Sequence, residues 1–194
     1  MVGRSRAEKK KSHDRIVQTA ADRFRESGVE GISVADLMKD AGLTHGGFYR
    51  HFGSRDELVA EAVERALQDG GRAVSHIGNS KLERPAVLAA LVDAYLSLAQ
   101  RDSLATSCAV TTLANDVARS NALARFAYTQ QVDVYLALLV KLIAGDRQKS
   151  RRAKAIAALS TLVGAVSMAR AVNDEKLSRE ILKSAADELK AQLA

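Results

Sequence analysis

Few side chains in this 194-residue chain could do chemistry on their own account. The one cysteine, Cys108, stands in Thr106-Ser107-Cys108-Ala109-Val110, at the expected start of a helix whose dipole would favour a thiolate. The four histidines, His13, His45, His51 and His76, have no metal-ligand spacing relative to it, so neither a metal nor a cofactor is expected. No histidine or carboxylate sits near Cys108 at a catalytic spacing, and a nucleophilic enzyme would need a partner delivered by the fold. The thiol otherwise reads as an oxidant- or electrophile-sensing group, or as a small buried apolar filler. The other chemistry on offer is recognition. Leu43-Thr44-His45-Gly46-Gly47-Phe48-Tyr49-Arg50-His51-Phe52 sets two glycines where its surroundings read as helix, then crowds aromatic and polar side chains behind them. Each glycine costs about 1 kcal/mol relative to alanine in a helix. Close approach of the backbone to bases or phosphates would explain that cost.

Such residues need elements to position them, and the composition favours helices. Apolar residues make up 47% of the chain, alanine and leucine abound, and there is a single proline. From His13, the residues Ile16, Val17, Ala20, Ala21 and Phe24 recur at helical spacing, and Gly28 is a suitable stop. Ser33 to Asp36 resembles a capping box, with aspartate in place of glutamate, opening a short helix through Leu37 and Met38 that Gly42 ends. Thr44 then caps a third helix through about His51. Ser54-Arg55-Asp56-Glu57 is a full capping box ahead of Leu58, Val59, Ala62, Val63, Ala66 and Leu67. This fourth helix either continues past Gly70-Gly71 with a weakened turn or stops there, and residues 71 to about 84 read as a linker or frayed end.

Pro85 suits the first turn of a fifth helix with Leu88, Leu91, Val92, Tyr95 and Ala99 on one face. Further helices are expected at about 106–119, 121–144 with Gly145 as its stop, 150–172 and 178–193. With no alternating strand pattern, the expected fold class is all-α with about nine helices.

Two short helices joined by a tight turn at Gly42 and braced by a preceding helix form the skeleton of a helix-turn-helix DNA reader. In that arrangement Thr44 and His45 reach for base edges, and Tyr49 and His51 offer polar tips to phosphates. Arg50 touches either, while Phe48 and Phe52 pin the element from behind. Ser33 and Arg55 sit at the starts of neighbouring helices, where exposed N–H groups favour phosphate. The competing reading is an ordinary turn at Gly46-Gly47 with plain core after it, in a helical module that packs against protein.

The residues Ile16 to Phe24 with Gly28, Ser33-Val34-Ala35-Asp36-Leu37, Ala41-Gly42-Leu43-Thr44, Gly46, Phe48-Tyr49, His51-Phe52 and Ser54-Arg55-Asp56-Glu57-Leu58 together resemble the TetR/AcrR family of bacterial transcriptional regulators. The likeness covers nearly all of residues 13 to 60 in order and spacing. It implies an N-terminal three-helix DNA-binding domain, followed by a helical domain that dimerises and often encloses a small effector. By resemblance, Ser33, Thr44, Tyr49, His51 and Arg55 contact backbone phosphates, while Thr44, His45, Gly47 and Arg50 face bases beside Gly46. Many relatives carry lysine where His45 stands and a hydroxyl residue at Gly47, so the operator sequence does not follow. Among the first twelve residues, Arg4, Arg6, Lys9, Lys10 and Lys11 oppose only Glu8. Such a tail is suited to lie along the duplex or in its minor groove. The implied organisation is 1–53 for the basic arm and helix-turn-helix, 54–72 for a connecting helix, and 73–194 for effector binding and dimerisation.

In the second half, Ala155, Ile156, Ala158, Leu159, Leu162, Val163, Ala165 and Val166 form an apolar band too wide for one core-facing stripe. With Ile181, Leu182, Ala185, Leu189 and Leu193 they suggest a four-helix interface between two subunits. The residues expected to form it are Ala155, Leu159, Leu162, Val166, Ile181, Ala185 and Leu189. A pocket is expected among the fifth to eighth helices, with Tyr95, Cys108, Thr112, Asn115, Phe126, Gln130 and Tyr135 as candidates that mix apolar surface with polar tips. The net charge of +6 permits an anionic partner. A lone cysteine fits a reducing cytoplasm, and neither an apolar run of roughly 18 residues nor a secretory signal is found. The expectation is a homodimeric, cytoplasmic regulator of transcription that binds double-stranded DNA and touches neither membrane nor metal. It would be a repressor released from a palindromic operator by a small-molecule, oxidant or electrophile effector. Sensing through Cys108, or activation of transcription, are the alternatives.

Overall fold

Helix α1 (Arg6–Ser27) turns Ile16, Val17, Ala20, Ala21 and Phe24 inward, and all five are buried. The computed structural model describes residues 6–78, 83–144 and 148–193, with backbone alone for 71–78. α1 begins seven residues before the expected His13, so Arg6, Lys9, Lys10 and Lys11 belong to a helix and not to a loose arm. Glu8 in the first turn suits the helix dipole, and Lys10 pairs with Asp14 one turn on at 2.7 Å. Arg4 lies outside the described residues.

α2 (Val34–Asp40) starts where Ser33 Oγ accepts the Asp36 amide at 3.1 Å, and the same hydroxyl donates to Asp36 Oδ2. Ser33→Ala is expected to lower the unfolding free energy by about 1 kcal/mol, which urea denaturation would read directly. Gly42, at φ +67°, makes the turn that follows, a conformation other residues adopt only under strain. The third helix is a short 3-10 helix (His45–Arg50), not the α-helix expected, and Thr44 makes no side-chain cap to it. Six residues with two glycines have little helical propensity to hold a wider turn. The backbone closes instead by three-residue steps, as in Gly47 N–H to Thr44 O at 2.9 Å.

α3 (Arg55–Gly78) continues unbroken through Gly70-Gly71. Its capping box is shifted by one residue: Ser54 Oγ accepts the Glu57 amide, while Glu57 Oε2 accepts the Gly53 amide at 2.6 Å. α3 packs on α1 and on α8, and so bridges the two halves of the chain. Pro85 sits in the first turn of α4 (Arg84–Tyr95), which ends before Ala99. Ser97 caps a new short helix, α5 (Leu98–Asp102).

The single helix expected at 106–119 is three pieces: a 3-10 turn (Leu104–Thr106), α6 (Ala109–Thr112) and α7 (Ala114–Ala118). Cys108 therefore precedes a helix of only four residues, too short for the dipole argument made for its thiolate. α8 (Ala122–Leu142), capped by Asn121, then leads to α9 (Gln148–Ala171) and α10 (Glu175–Leu193), while Gly145 lies outside the described residues. Arg101 fastens α5 to α10 through Glu175 at 2.7 Å and Ser178 at 2.8 Å. Among the described residues there are ten α-helices and two 3-10 helices and no strand. α9 is long and apolar enough by composition to cross a membrane, yet only 39% of its most apolar stretch is buried. Its outer face leaves Ile156 and Met168 exposed, as α8 leaves Leu123, Phe126 and Val134.

The expected dimer residues need correction. Ala155, Leu159, Leu162, Val166 and Leu189 are buried inside one protomer, between 0% and 8% exposed, and Ile181 and Ala185 are half-buried against the same core. α9 packs against α8, α6 and α10, and α10 against α9 and α4, because each must cover the core before offering anything to a partner.

Candidate nucleic-acid interface and effector cavity

The turn after Gly42 is anchored from beneath. Phe48 and Phe52 are each 2% exposed and stack at 5.4 Å between ring centroids, over a floor of Ile16, Leu37, Met38 and Leu58. This fixes the outward residues Thr44, His45, Gly46, Tyr49 and Arg50, all exposed, with Tyr49 at 74%. The edge of Tyr49 rests on Phe48 at 5.2 Å, which orients its hydroxyl away from the core.

The glycine pair is not explained from inside. Neither glycine has positive φ. A Cβ at Gly46 would meet nothing within 4 Å, and one at Gly47 would make only ordinary contacts with Met38 Cε and Thr44 Oγ1 at 3.6 and 3.7 Å. The fold would accept alanine at both positions, so whatever favours bare backbone there comes from outside the chain.

The phosphate candidates divide. Ser33 and Thr44 are exposed beside the turn, and Arg6, Lys9, Lys10 and Lys11 line the exposed start of α1. His51 is half-buried, its ring 6.1 Å from that of His13, which stacks on Phe52 at 4.6 Å and pairs with Glu61 at 2.7 Å. Arg55 is already engaged: its guanidinium donates to Glu30 Oε1 at 2.9 Å and to the Val29 carbonyl at 2.5 Å. It clamps the α1–α2 connection onto α3, which is a bracing role that its place in the sequence did not reveal.

The second half holds a cavity of about 210 Å3 among α3, α4, α8 and α9, lined by Gly70, Leu91, Tyr95, Cys108, Tyr135, Leu139, Leu159 and Leu162, with Gln100 and Thr106 at its polar side. Three of the seven expected pocket residues are brought together there: Tyr95, Cys108 and Tyr135. Tyr95 Oη bonds Thr111 Oγ1 at 2.7 Å, and Cys108 Sγ donates to Tyr135 Oη at 3.7 Å. Burial, and then the neighbouring Cys108, push both phenols upward, so they stay protonated near neutrality. The other four are placed elsewhere. Thr112 is half-buried and donates to the Cys108 carbonyl, and Asn115 is exposed. Phe126, 63% exposed, and Gln130 lie in an outer groove between α3 and α8. The misplacement follows from the break at α6–α7 and from α8 turning that face outward. Leu159 and Leu162, expected at a dimer interface, are cavity wall.

Two bonds tie the halves together. The Val29 amide donates to Asp116 Oδ1 at 2.9 Å, and Asn121 Nδ2 donates to the Asp56 carbonyl at 2.9 Å. Thus α7 and the start of α8 hold both the α1–α2 connection and the first turn of α3. Asp116 and Asn121 escaped the sequence reading, although Asn ahead of an apolar helix was a legible cap signal.

Comparison with known proteins finds a family likeness over the N-terminal part of the chain. The model for bacterial regulatory proteins of the tetR family matches residues 16–62, the span that holds the turn, its floor and the start of α3. Residues 16–62 carry the sequence pattern of the tetR family. An HTH-type transcriptional repressor of Mycobacterium tuberculosis is 31% identical over a match taking in 31% of this chain and 43% of that one. The repressor KstR2 of Mycolicibacterium smegmatis is 34% identical over 54 residues, 28% of this chain and 26% of its own. Less than half the length of these curated relatives is therefore spanned. In solved structures the likeness runs through the whole TetR-family fold. The reduced form of NemR from E. coli aligns with TM-score 0.79 at 18% identity, covering 95% of this chain and 97% of its own. A TetR transcriptional regulator from Chloroflexus aurantiacus aligns with TM-score 0.79 at 23% identity, covering 95% of each.

Proposed function

We propose that this protein is a homodimeric DNA-binding regulator of transcription of the TetR family, a repressor that leaves a palindromic operator when a small molecule occupies the cavity, and not an enzyme. The observation that carries the reading is the glycine pair. Gly46 and Gly47 could each take a Cβ without a clash, yet both are bare in a helix-turn-helix whose exposed neighbours are Thr44, His45, Tyr49 and Arg50. Bare backbone there admits bases and phosphates closely. The cations at the start of α1 supply the non-specific attraction. Residues 1–53, 54–72 and 73–194 act as reader, connector and sensor, in the cytoplasm and away from membranes.

A palindrome is read by two copies about 34 Å apart, so a partner subunit is needed. The surface that suits it is the outer face of α9, where Ala153, Ile156, Ala157, Ser160, Gly164, Ser167, Met168 and Ala171 are exposed or half-exposed. Small residues there permit close helix approach, with Ile156 and Met168 at 47% and 58% exposure as the larger apolar contacts. Leu177 on α10 is a further exposed apolar residue.

Selection of bound sequences from random DNA, followed by binding titrations on the selected site, tests the reading. His45→Ala is expected to relax preference at the base pair it faces, at a cost of about 1–3 kcal/mol there. Lys10→Ala should weaken all duplexes alike and reduce the salt slope by about one. Equal loss for His45→Ala on selected and random DNA would remove its base-reading role, and a protein that ignores every duplex at low salt would remove the function.

A further inference from the structure

The cavity says more than that a ligand fits. Its wall is mainly apolar, with leucines from α4, α8 and α9, and every wall residue among those described is uncharged. An ionised group buried there would lack a partner, which disfavours carboxylates and ammoniums by several kcal/mol. About 150 Å3 of apolar cavity accommodates benzene, so the 210 Å3 here suits an aromatic ring with a short substituent. Of the two phenols on the wall, Tyr95 is occupied by a short bond to Thr111. Tyr135 Oη accepts a weak bond from Cys108 Sγ and has Gln131 as a second hydrogen-bonding neighbour, and as an acceptor it keeps its own proton for a ligand oxygen.

The seat of that hydroxyl is unusual. A Cβ added at Gly70 would lie 2.7 Å from Tyr135 Oη, closer than real Cβ contacts come, so the phenol rests on bare backbone of α3. The same helix begins at Arg55, which clamps the connection leading into the helix-turn-helix. We propose that the cavity takes an uncharged, mainly apolar small molecule carrying one hydrogen-bond-accepting oxygen, received by Tyr135 Oη, and that α3 senses it where Gly70 leaves this hydroxyl against its backbone. The inference rests on the effector reading above, and it assigns that effector a chemical class and a contact point.

Calorimetric titration of the DNA-free protein tests the class, with acetophenone, ethylbenzene and benzoate as probes of similar size. Acetophenone is expected to bind, ethylbenzene five- to tenfold more weakly for want of the hydrogen bond, and benzoate at least a hundredfold more weakly. Tyr135→Phe should erase the advantage of acetophenone over ethylbenzene while leaving ethylbenzene binding unchanged. Benzoate binding as tightly as acetophenone, or no binding of either uncharged probe at millimolar concentration, would overturn the class.

The contact point is tested by Gly70→Ala, which should weaken acetophenone binding at least tenfold and lower affinity for the selected DNA site without any ligand. Gly70→Ala combined with Tyr135→Phe should recover DNA binding, because the clashing oxygen is gone. A Gly70→Ala protein that behaves as the parent in both titrations would overturn the sensing role of Gly70. Probe binding is read without DNA, so its failure is distinct from a failure to bind any operator. Intact probe binding beside absent DNA binding would count against the regulator reading instead.

Discussion

Phe48→Ala is expected to lower the unfolding free energy by about 3–5 kcal/mol and to abolish specific DNA binding. Phe48 is 2% exposed, stacks on Phe52 and supports Tyr49 edge-on, so its removal opens a void directly beneath the reading surface. A 3-10 turn of six residues, two of them glycine, has little stability of its own and keeps its shape through this ring. Guanidinium denaturation gives the stability, and titration with the selected duplex gives the function. A drop below about 1 kcal/mol would show that the turn closes over the gap. It would also show that the ring is not what holds the outward residues in place. Tyr49→Phe makes the contrast, since it keeps the edge contact and removes only the hydroxyl offered to phosphate.

Gly164→Glu is expected to yield a folded monomer whose affinity for the palindromic site falls on the order of a hundredfold or more, through loss of paired binding. A Cβ at Gly164 meets nothing within 4 Å, so the protomer has room for the side chain. Glutamate is also the better helix former by up to about 1 kcal/mol. Within one chain the change is neutral or stabilising. Across a twofold axis it sets two carboxylates against each other in a close helix contact, where unpaired charge is costly. Sedimentation velocity at micromolar concentration reads the outcome, with thermal unfolding as the control for folding. A Gly164→Glu protein that stays dimeric would place the interface on another face. Substitution at Leu162 or Val166, buried at 2% and 0%, would instead damage the protomer and say nothing about its partner.

The helix-turn-helix end of the chain was largely legible from residue order, for a local reason. Ser33, Gly42 and Ser54 punctuate it through contacts within four residues of themselves. The spacing of Ile16 to Phe24 and of Leu58 to Leu67 needs only helical periodicity to be read. Even so, the 3-10 form of His45–Arg50 and the helical start at Arg6 required the surrounding packing and pairing to be seen. Arg55 looked like a phosphate ligand by position, yet Glu30 and the Val29 carbonyl, twenty-five residues earlier, had claimed it.

In the second half the sequence by itself determined that the chain is helical, roughly where the long helices run, and that α9 carries more apolar surface than one core needs. Which side of that band meets its own core and which side is left over depends on the rotation of α9 against α6, α8 and α10. That rotation is set by shape complementarity among distant side chains, and periodicity cannot express it. The same holds for the cavity. Tyr95, Cys108 and Tyr135 are separated by up to forty residues and converge only because α4, α6 and α8 pack around one space, while Phe126 and Gln130 on the same α8 are turned to solvent. Gly70 is the plainest case. In the sequence it is a weak point in a helix, and in the fold it is the gap into which the oxygen of Tyr135 fits.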